Sequence, residues 1–169
     1  MFSEMSGLMS ARVKELQARI CSALEAEDTV KFREDLWTRE GGGGGCTRVL
    51  ENGSTFEKAG VKTSAVEGRL KGSEITMFRQ MLSQQNISLP ELDEAHFFAT
   101  GISLVIHPKN PNAPTTHTNY RYFELSLPDG NLWWFGGGAD LTPIYLYEED
   151  AVHYHRVHKD VCDGFDTEY

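Results

Sequence analysis

The sequence predicts an α+β fold, an antiparallel β-sheet flanked by helices on both faces, within a single domain of 169 residues. Residues 120–127 alternate between the two faces of a strand, and Asp129-Gly130 directly after them is a strong hairpin signal. Strands joined by so tight a turn must be antiparallel. Apolar residues at helical spacing near both ends of the chain supply the helices.

The N-terminal segment, residues 10–38, predicts the first helix. Its apolar residues stand close to helical spacing and continue to its end: Val13, Leu16, Ile20, Leu24, Leu36 and Trp37. The five glycines of residues 41–45 then end it. They fit either a flexible linker or a loop whose backbone approaches a ligand or another strand closely. The run is not a phosphate-binding loop, because no Gly-Lys-Ser/Thr follows it.

The middle of the chain predicts strands over residues 48–81, with turns at Asn52-Gly53 and at Gly60, and a short helix over residues 74–85. The apolar, β-branched run of residues 97–106 predicts a buried strand. Three prolines stiffen the loop that follows, because each ring fixes its φ angle.

The predicted hairpin supplies two further strands. In residues 120–127, Arg121 shares one face with Phe123 and Leu125, while Glu124 lies on the other. Residues 131–135 return as the partner strand. Residues 148–162 predict the last helix, whose apolar stripe is Tyr154, Val157 and Val161.

Composition limits the function. A formal charge of −9 argues against a nucleic-acid partner, whose phosphates need basic patches. Any anionic ligand must instead be bound by locally placed cations. The three cysteines form neither a disulfide framework nor a metal-binding pair, which favours a reducing compartment. No apolar stretch approaches the roughly 18 residues of a membrane span, and no signal peptide is evident, so we expect a cytoplasmic protein.

One run, residues 107–143, concentrates groups capable of proton transfer and carboxylate binding. His107 and His117 are candidate proton carriers, because the ordinary pKa of histidine is about 6.5. Arg121 is either a salt-bridge partner at the end of its strand or a guanidinium that binds a substrate carboxylate. Asp140 is either a turn cap or the acid of a flat cavity walled by Trp133-Trp134. The residues alone indicate an enzyme for a flat, anionic ligand.

Three stretches carry a resemblance to a known family. They are GGGGGCTRVLENGSTFEKAGV at residues 41–61, GISLVIHPKNPNAPTTHTNYRYFEL at residues 101–125, and WWFGGGADLTPIYLYEEDAVHYHRVHKDVCDGFD at residues 133–166. Together they closely resemble the oxygen-dependent coproporphyrinogen oxidase family. The family's domain continues well past the position of Tyr169, so the resemblance implies that this chain is the N-terminal part of that domain.

The resemblance implies an oxidative decarboxylation in haem biosynthesis. Two propionates of coproporphyrinogen III become vinyls, giving protoporphyrinogen IX, with molecular oxygen as the oxidant. His117 matches the family's proton donor, and Asp140 matches the aspartate that engages the pyrrole N–H groups. The positions that match substrate-binding residues are Ser103, Asn119, Tyr120 and Arg121.

The resemblance also bears on cofactors and partners. In bacterial members, positions matching His107, His117 and His155 are assigned to a divalent metal, whereas eukaryotic members are regarded as metal-independent. We expect no metal and no cofactor besides oxygen, and a homodimer as in the family. Two other functions stay open. One is a metal-dependent dioxygenase that uses His107, His117 and an acid such as Asp140. The other is a non-catalytic porphyrin-binding or partner-binding remnant.

Overall fold

The computed structural model describes residues 2–84 and 86–168. Within them the chain forms three helices and six strands. In chain order these are α1 (Glu4–Ala26), β1 (Arg33–Thr38), β2 (Gly43–Glu51), β3 (Phe56–Lys71), α2 (Ser73–Ser83), β4 (Glu94–Pro108), β5 (Thr115–Leu127), β6 (Gly130–Thr142) and α3 (Glu148–Asp163). The strands form one antiparallel sheet in the order β1-β2-β3-β4-β5-β6. The predicted α+β fold is confirmed.

Each face of the sheet has its own apolar core. On the back face, α1 packs on β3 and β4 through a cluster formed by Val13, Leu16, Ile20, Cys21, Leu24, Phe32, Val61, Ile102 and Leu104. On the front face, α2 and the segment after it cover one end of the sheet through Ile75, Phe78, Leu82, Leu89, Ala95, Phe97, Phe123, Leu125 and Trp134. The rest of the front face carries polar side chains and glycines, many of them exposed.

The first helix ends earlier than predicted. Helix α1 stops at Ala26, and the Asp28 carboxylate accepts hydrogen bonds from the N–H groups of Thr29 at 2.6 Å and Val30 at 3.1 Å. Such a local side-chain acceptor competes with helical hydrogen bonding and turns the chain. The residues that follow form β1 because they pair with β2, so the prediction of one helix over residues 10–38 is wrong.

The glycine run belongs to the sheet. Gly42 and Gly43 have positive φ angles of 103° and 89°, and residues from Gly43 onward form β2. A Cβ atom on Gly43 would collide with the backbone of Ala65 on β3. Of the two alternatives considered for this run, the close approach to another strand is therefore confirmed.

The two turns predicted in the middle of the chain have opposite outcomes. The turn at Asn52-Gly53 is confirmed, with Asn52 at a φ of 58°. The turn predicted at Gly60 is wrong, because Gly60 lies inside β3 opposite Val105.

Helices α2 and α3 closely match their predicted ranges. None of the described helices is both long and apolar enough to cross a bilayer.

Strands β5 and β6 extend beyond the predicted hairpin. Strand β5 begins at Thr115, and β6 continues through its three glycines to Thr142. Gly136 and Gly138 pair with β5 through backbone groups, which need no side chain. Asp140 therefore lies within a strand, not in the turn after it.

Candidate active site

Five of the six predicted site residues meet on the front face of the sheet. Strand register places Ser103 opposite Asn119, and His117 opposite Asp140. Arg121 lies two residues after Asn119 on β5 and therefore shares its face. We call these five residues the polar site.

His117 and Asp140 form a hydrogen-bonded pair across β5 and β6. His117 Nδ1 lies 2.7 Å from Asp140 Oδ2, and both side chains are about half exposed. Because an ionised carboxylate only accepts hydrogen bonds, Nδ1 donates, and Nε2 is left for a ligand. The other carboxylate oxygen is 3.5 Å from Thr142 Oγ1, a long contact that leaves it able to accept from a ligand.

Arg121 is oriented by its neighbour and keeps its charge available. Its Nη2 donates to Asn119 Oδ1 at 2.7 Å. None of the carboxylates in the described part of the chain forms an ion pair with it. The salt bridge considered from the sequence is therefore not what the structure shows. Most of the five guanidinium donors remain free for an anionic ligand.

Glycines give the polar site a flat floor. A Cβ atom on Gly138 would meet no atom within 4 Å, and one on Gly136 would meet only Arg121 Cγ at 3.8 Å. Beside this floor, a cavity of about 410 Å³ is lined by Lys62, Ser64, Gly101, Ser103, Asn119 and Arg121, among others. A flat ligand can therefore approach the backbone of β5 and β6 closely.

Lys62 and Ser64 were not singled out from the sequence. They lie on β3, in the same cross-strand rows as Ser103 and Gly101, which are their register partners on β4. Lys62 and Ser64 are two residues apart in the sequence, and this spacing puts both side chains on one side of a strand. That signal was usable only once β3 was recognised as one continuous strand.

The side chain of Tyr120 lies on the opposite face from the polar site. Its register partners are Ile102 and Gly137, and it borders an apolar cavity of about 880 Å³ that Met9 of α1 and Val157 of α3 also line. Only the main chain of Tyr120 can reach the front face. The resemblance implied that Tyr120 belongs to a substrate-binding segment, and this stays a prediction, with the main chain of Tyr120 as the part that faces the polar site.

The two tryptophans do not form a common wall. Trp134 packs under α2, with its ring centroid 4.7 Å from that of Phe123 and 5.6 Å from that of Phe78. Trp133 lies on the back face, 6.2 Å from the ring of Tyr122. Adjacent strand residues point to opposite faces, so the prediction of a cavity walled by both rings is wrong.

Comparison with known proteins assigns the family. The profile of the family described as coproporphyrinogen III oxidase matches residues 8–169. The chain belongs to the coproporphyrinogen III oxidase family.

Curated relatives support this assignment. The mouse mitochondrial oxygen-dependent coproporphyrinogen-III oxidase is 50% identical over 165 residues, covering 95% of this chain and 36% of the mouse protein. The Drosophila melanogaster oxygen-dependent coproporphyrinogen-III oxidase is 48% identical over 164 residues, covering 95% of this chain and 41% of the fly protein. The chain thus spans about two fifths of the length of the curated relatives it matches.

The histidines expected for a metal in bacterial members of the coproporphyrinogen III oxidase family are used differently here. His107 Nδ1 contacts Thr115 Oγ1 at 3.3 Å, and the His155 ring on α3 meets Tyr154 edge-on at 5.6 Å. The described residues contain no group of three or more His, Cys, Asp or Glu side chains that could hold a metal ion. The described residues therefore do not fit a metal centre, either for this set of histidines or for the dioxygenase alternative.

Helix α3 places a phenol near the acid of the site. A cavity of about 270 Å³ is lined by Asp140 together with Tyr154 and His155 of α3. Burial, followed by the nearby Asp140 carboxylate, raises the pKa of Tyr154. Its hydroxyl is buried and has no hydrogen-bond partner among the described residues. Tyr154 is therefore a neutral hydroxyl beside a cavity that Asp140 also lines.

Proposed function

We propose that this chain carries the substrate platform of an oxygen-dependent coproporphyrinogen oxidase. The reaction converts two propionates of coproporphyrinogen III to vinyls and gives protoporphyrinogen IX in haem biosynthesis. The observation that carries the proposal is the polar site itself: an acid–histidine pair and an available guanidinium on one open, glycine-floored face. Family membership supports the same substrate.

Arg121 binds a propionate of the substrate. Coproporphyrinogen carries four carboxylates, and the chain carries a formal charge of −9, so the overall field opposes binding. A local cation must supply the attraction. A guanidinium suits this role because two of its N–H groups can bind both oxygens of one carboxylate.

Asp140 binds the pyrrole N–H groups of the reduced macrocycle. Asp140 lies four residues along β6 from Gly136, the register partner of Arg121, which separates acid and guanidinium by about 13 Å along the sheet. One group thus sits under the ring while the other holds a substituent at its rim. Hydrogen bonds to the carboxylate raise the electron density of the ring, which favours its reaction with oxygen.

His117 manages protons during the conversion. Each propionic acid group and one O₂ give one vinyl group, one CO₂ and one H₂O₂, so two electrons pass from the side chain to oxygen. His117 Nε2 exchanges a proton with the reacting groups while Nδ1 stays bonded to Asp140. The Asp140 carboxylate holds the imidazole ring in one orientation during this exchange.

Replacement of Asp140 tests the assignment. Purified chain is incubated with coproporphyrinogen III and oxygen, and vinyl product is measured by porphyrin fluorescence after oxidation. Asp140→Ala should lower product formation by about a hundredfold or more, because both the ring contact and the histidine partner are lost. Asp160→Ala, an exposed acid on α3, is the control and should keep the activity. Retained turnover in Asp140→Ala would contradict the proposal.

A second candidate is a porphyrin-binding remnant without catalysis. It is favoured by the available Arg121 guanidinium and the glycine-floored face, which suffice for binding without proton transfer. The same assay separates the two functions, because binding of coproporphyrin without any vinyl product by the unmodified chain supports the remnant.

Cofactor, assembly and location complete the proposal. We include no cofactor besides oxygen, and elemental analysis of active protein tests this. The homodimer stays a prediction. The cytoplasmic location also stays a prediction, because the mouse relative is named mitochondrial and the soybean relative is named chloroplastic.

A further inference from the structure

We propose that Lys62, held by Trp37, forms a second carboxylate subsite on the front face, on the same side of Asp140 as the propionate subsite of Arg121. This subsite would hold a further propionate of the substrate. The inference rests on the proposed function and extends its site from β5 and β6 to β3 and β1.

Strand register places both residues on the face of the polar site. Lys62 lies opposite Ser103, which in turn lies opposite Asn119, so the three form one row across the sheet. Trp37 lies opposite Gly45, which lies opposite Ser64. Directly opposed residues share a face, so Trp37 lies on the face of Ser64. Ser64 follows Lys62 by two residues on β3, which places Trp37 in the row next to Lys62.

The Trp37 ring holds the ammonium group in place. Lys62 Nζ lies 5.1 Å from the ring centroid, within the range of a cation–π contact. The ring can lie flat on β2 because Gly45 beneath it has no side chain, and a Cβ atom there would collide with the indole. A further role of the glycine run is therefore to seat this tryptophan.

The charge of Lys62 is positioned but not neutralised. Lys62 is exposed, and no carboxylate of the described residues forms an ion pair with it. Lys71, on the same strand, differs because its Nζ lies 3.1 Å from Glu94 Oε2. In an acidic chain, a cation that is fixed by an aromatic ring and left without a carboxylate is suited to an anionic ligand.

The spacing fits a ligand that carries two separate carboxylates. Lys62 and Arg121 lie two strands apart and one row apart, which is about 12 Å. Both border the same cavity of about 410 Å³, with Ser103 and Asn119 between them. A macrocycle seated over Asp140 would extend two of its propionates toward this cavity, one to each cation.

Binding of coproporphyrin III tests the subsite, because this stable oxidised porphyrin carries the same four carboxylates. Quenching of tryptophan fluorescence gives the affinity of the full chain. Lys62→Gln should weaken binding about fivefold, the effect of one solvent-accessible ion pair. The variant's affinity should also depend less on salt than that of the unmodified chain. Lys62→Arg should restore affinity, because it keeps the charge.

Lys71→Gln is the matched control, since it removes the same charge from the same strand outside the cavity. Equal affinity of Lys62→Gln and the unmodified chain would overturn the subsite and leave the proposed function standing. Equal losses in both glutamine variants would also overturn it, because they would show only a net-charge effect. Absence of binding by the unmodified chain would instead contradict the proposed function.

Discussion

At the scale of single residues, Glu124 shows how a buried charge is stabilised. Its side chain is 0% exposed on the back face. It accepts hydrogen bonds from the backbone N–H of Ser3 at 2.7 Å and the hydroxyl of Tyr122 at 2.7 Å, and Asn131 donates to it as well. Burial raises the pKa of this carboxyl, but the donors outweigh burial and lower the pKa below its ordinary value. Glu124 thereby fastens the start of α1 to β5 and β6.

Replacement of Glu124 by glutamine should destabilise the fold. The amide turns one acceptor into a donor that faces other donors, which costs about 2 kcal/mol. Because the pKa of Glu124 is lowered in the folded state, its contribution is present above the unfolded pKa, about 4.3, and is lost as the pH falls through the folded value. Urea unfolding should show a large difference between the two proteins at pH 7 and a small one in acid. An equal difference at both pH values would contradict the account.

The polar site also shows what residue-level reasoning could predict. Ser103, His117, Asn119, Arg121 and Asp140 were all chosen from their sequence context and resemblance, and they share one face. The pair His117–Asp140 was not foreseen, because it depends on the exact register of β5 and β6. A one-residue slip would turn one of the two side chains away.

At the scale of elements, alternation and turn residues predicted the hairpin and the buried strand, while the ends of elements were missed. The strand β1 was read as helix because its apolar residues continue a plausible helical spacing. Helix α1 and strand β1 are separated by a turn at Asp28. The Asp28 carboxylate also accepts hydrogen bonds from the N–H groups of Ser54, Thr55 and Phe56. That clamp joins the end of α1 to the β2–β3 turn. It is a long-range contact that local periodicity does not contain.

The glycines of β2 and β3 offer a matched pair of substitutions. Gly43→Ala places a Cβ against the Ala65 backbone at a φ of 89°, so it should cost about 1–3 kcal/mol. Gly60→Ala meets no atom within 4 Å at an ordinary φ, so stability should change by less than about 0.5 kcal/mol. Thermal unfolding of both variants measures the difference. Equal destabilisation by Gly60→Ala and Gly43→Ala would contradict this account, because the loss could then not come from the collision and the φ angle at Gly43.

At the scale of the whole molecule, strands that follow each other in sequence are also neighbours in the sheet, so the polar site is built from one continuous part of the chain. Every strand pairs with the one that precedes it in sequence, and the polar site needs only β4, β5 and β6. The family resemblance could therefore place its residues without knowledge of the rest of the sheet. The position of Trp37 beside Lys62 could not be predicted, because it depends on β1, where the spacing of apolar residues favours a helix.

The same topology leaves β6 at an edge of the described sheet, and this predicts self-association. Strand β6 pairs only with β5 there, and its back-face residues Trp133 and Phe135 are 48% and 54% exposed. An open strand edge bearing apolar side chains recruits other chains through backbone pairing and burial of that surface. Sedimentation velocity over a range of concentrations should show dimers or larger species, and Phe135→Lys should shift them toward monomer because a charge at the edge opposes pairing. Met77→Lys, at a 70% exposed apolar position on α2 away from both edge strands, is the control and should change the distribution less. A chain that stays monomeric at every concentration would show that the β6 edge does not drive assembly.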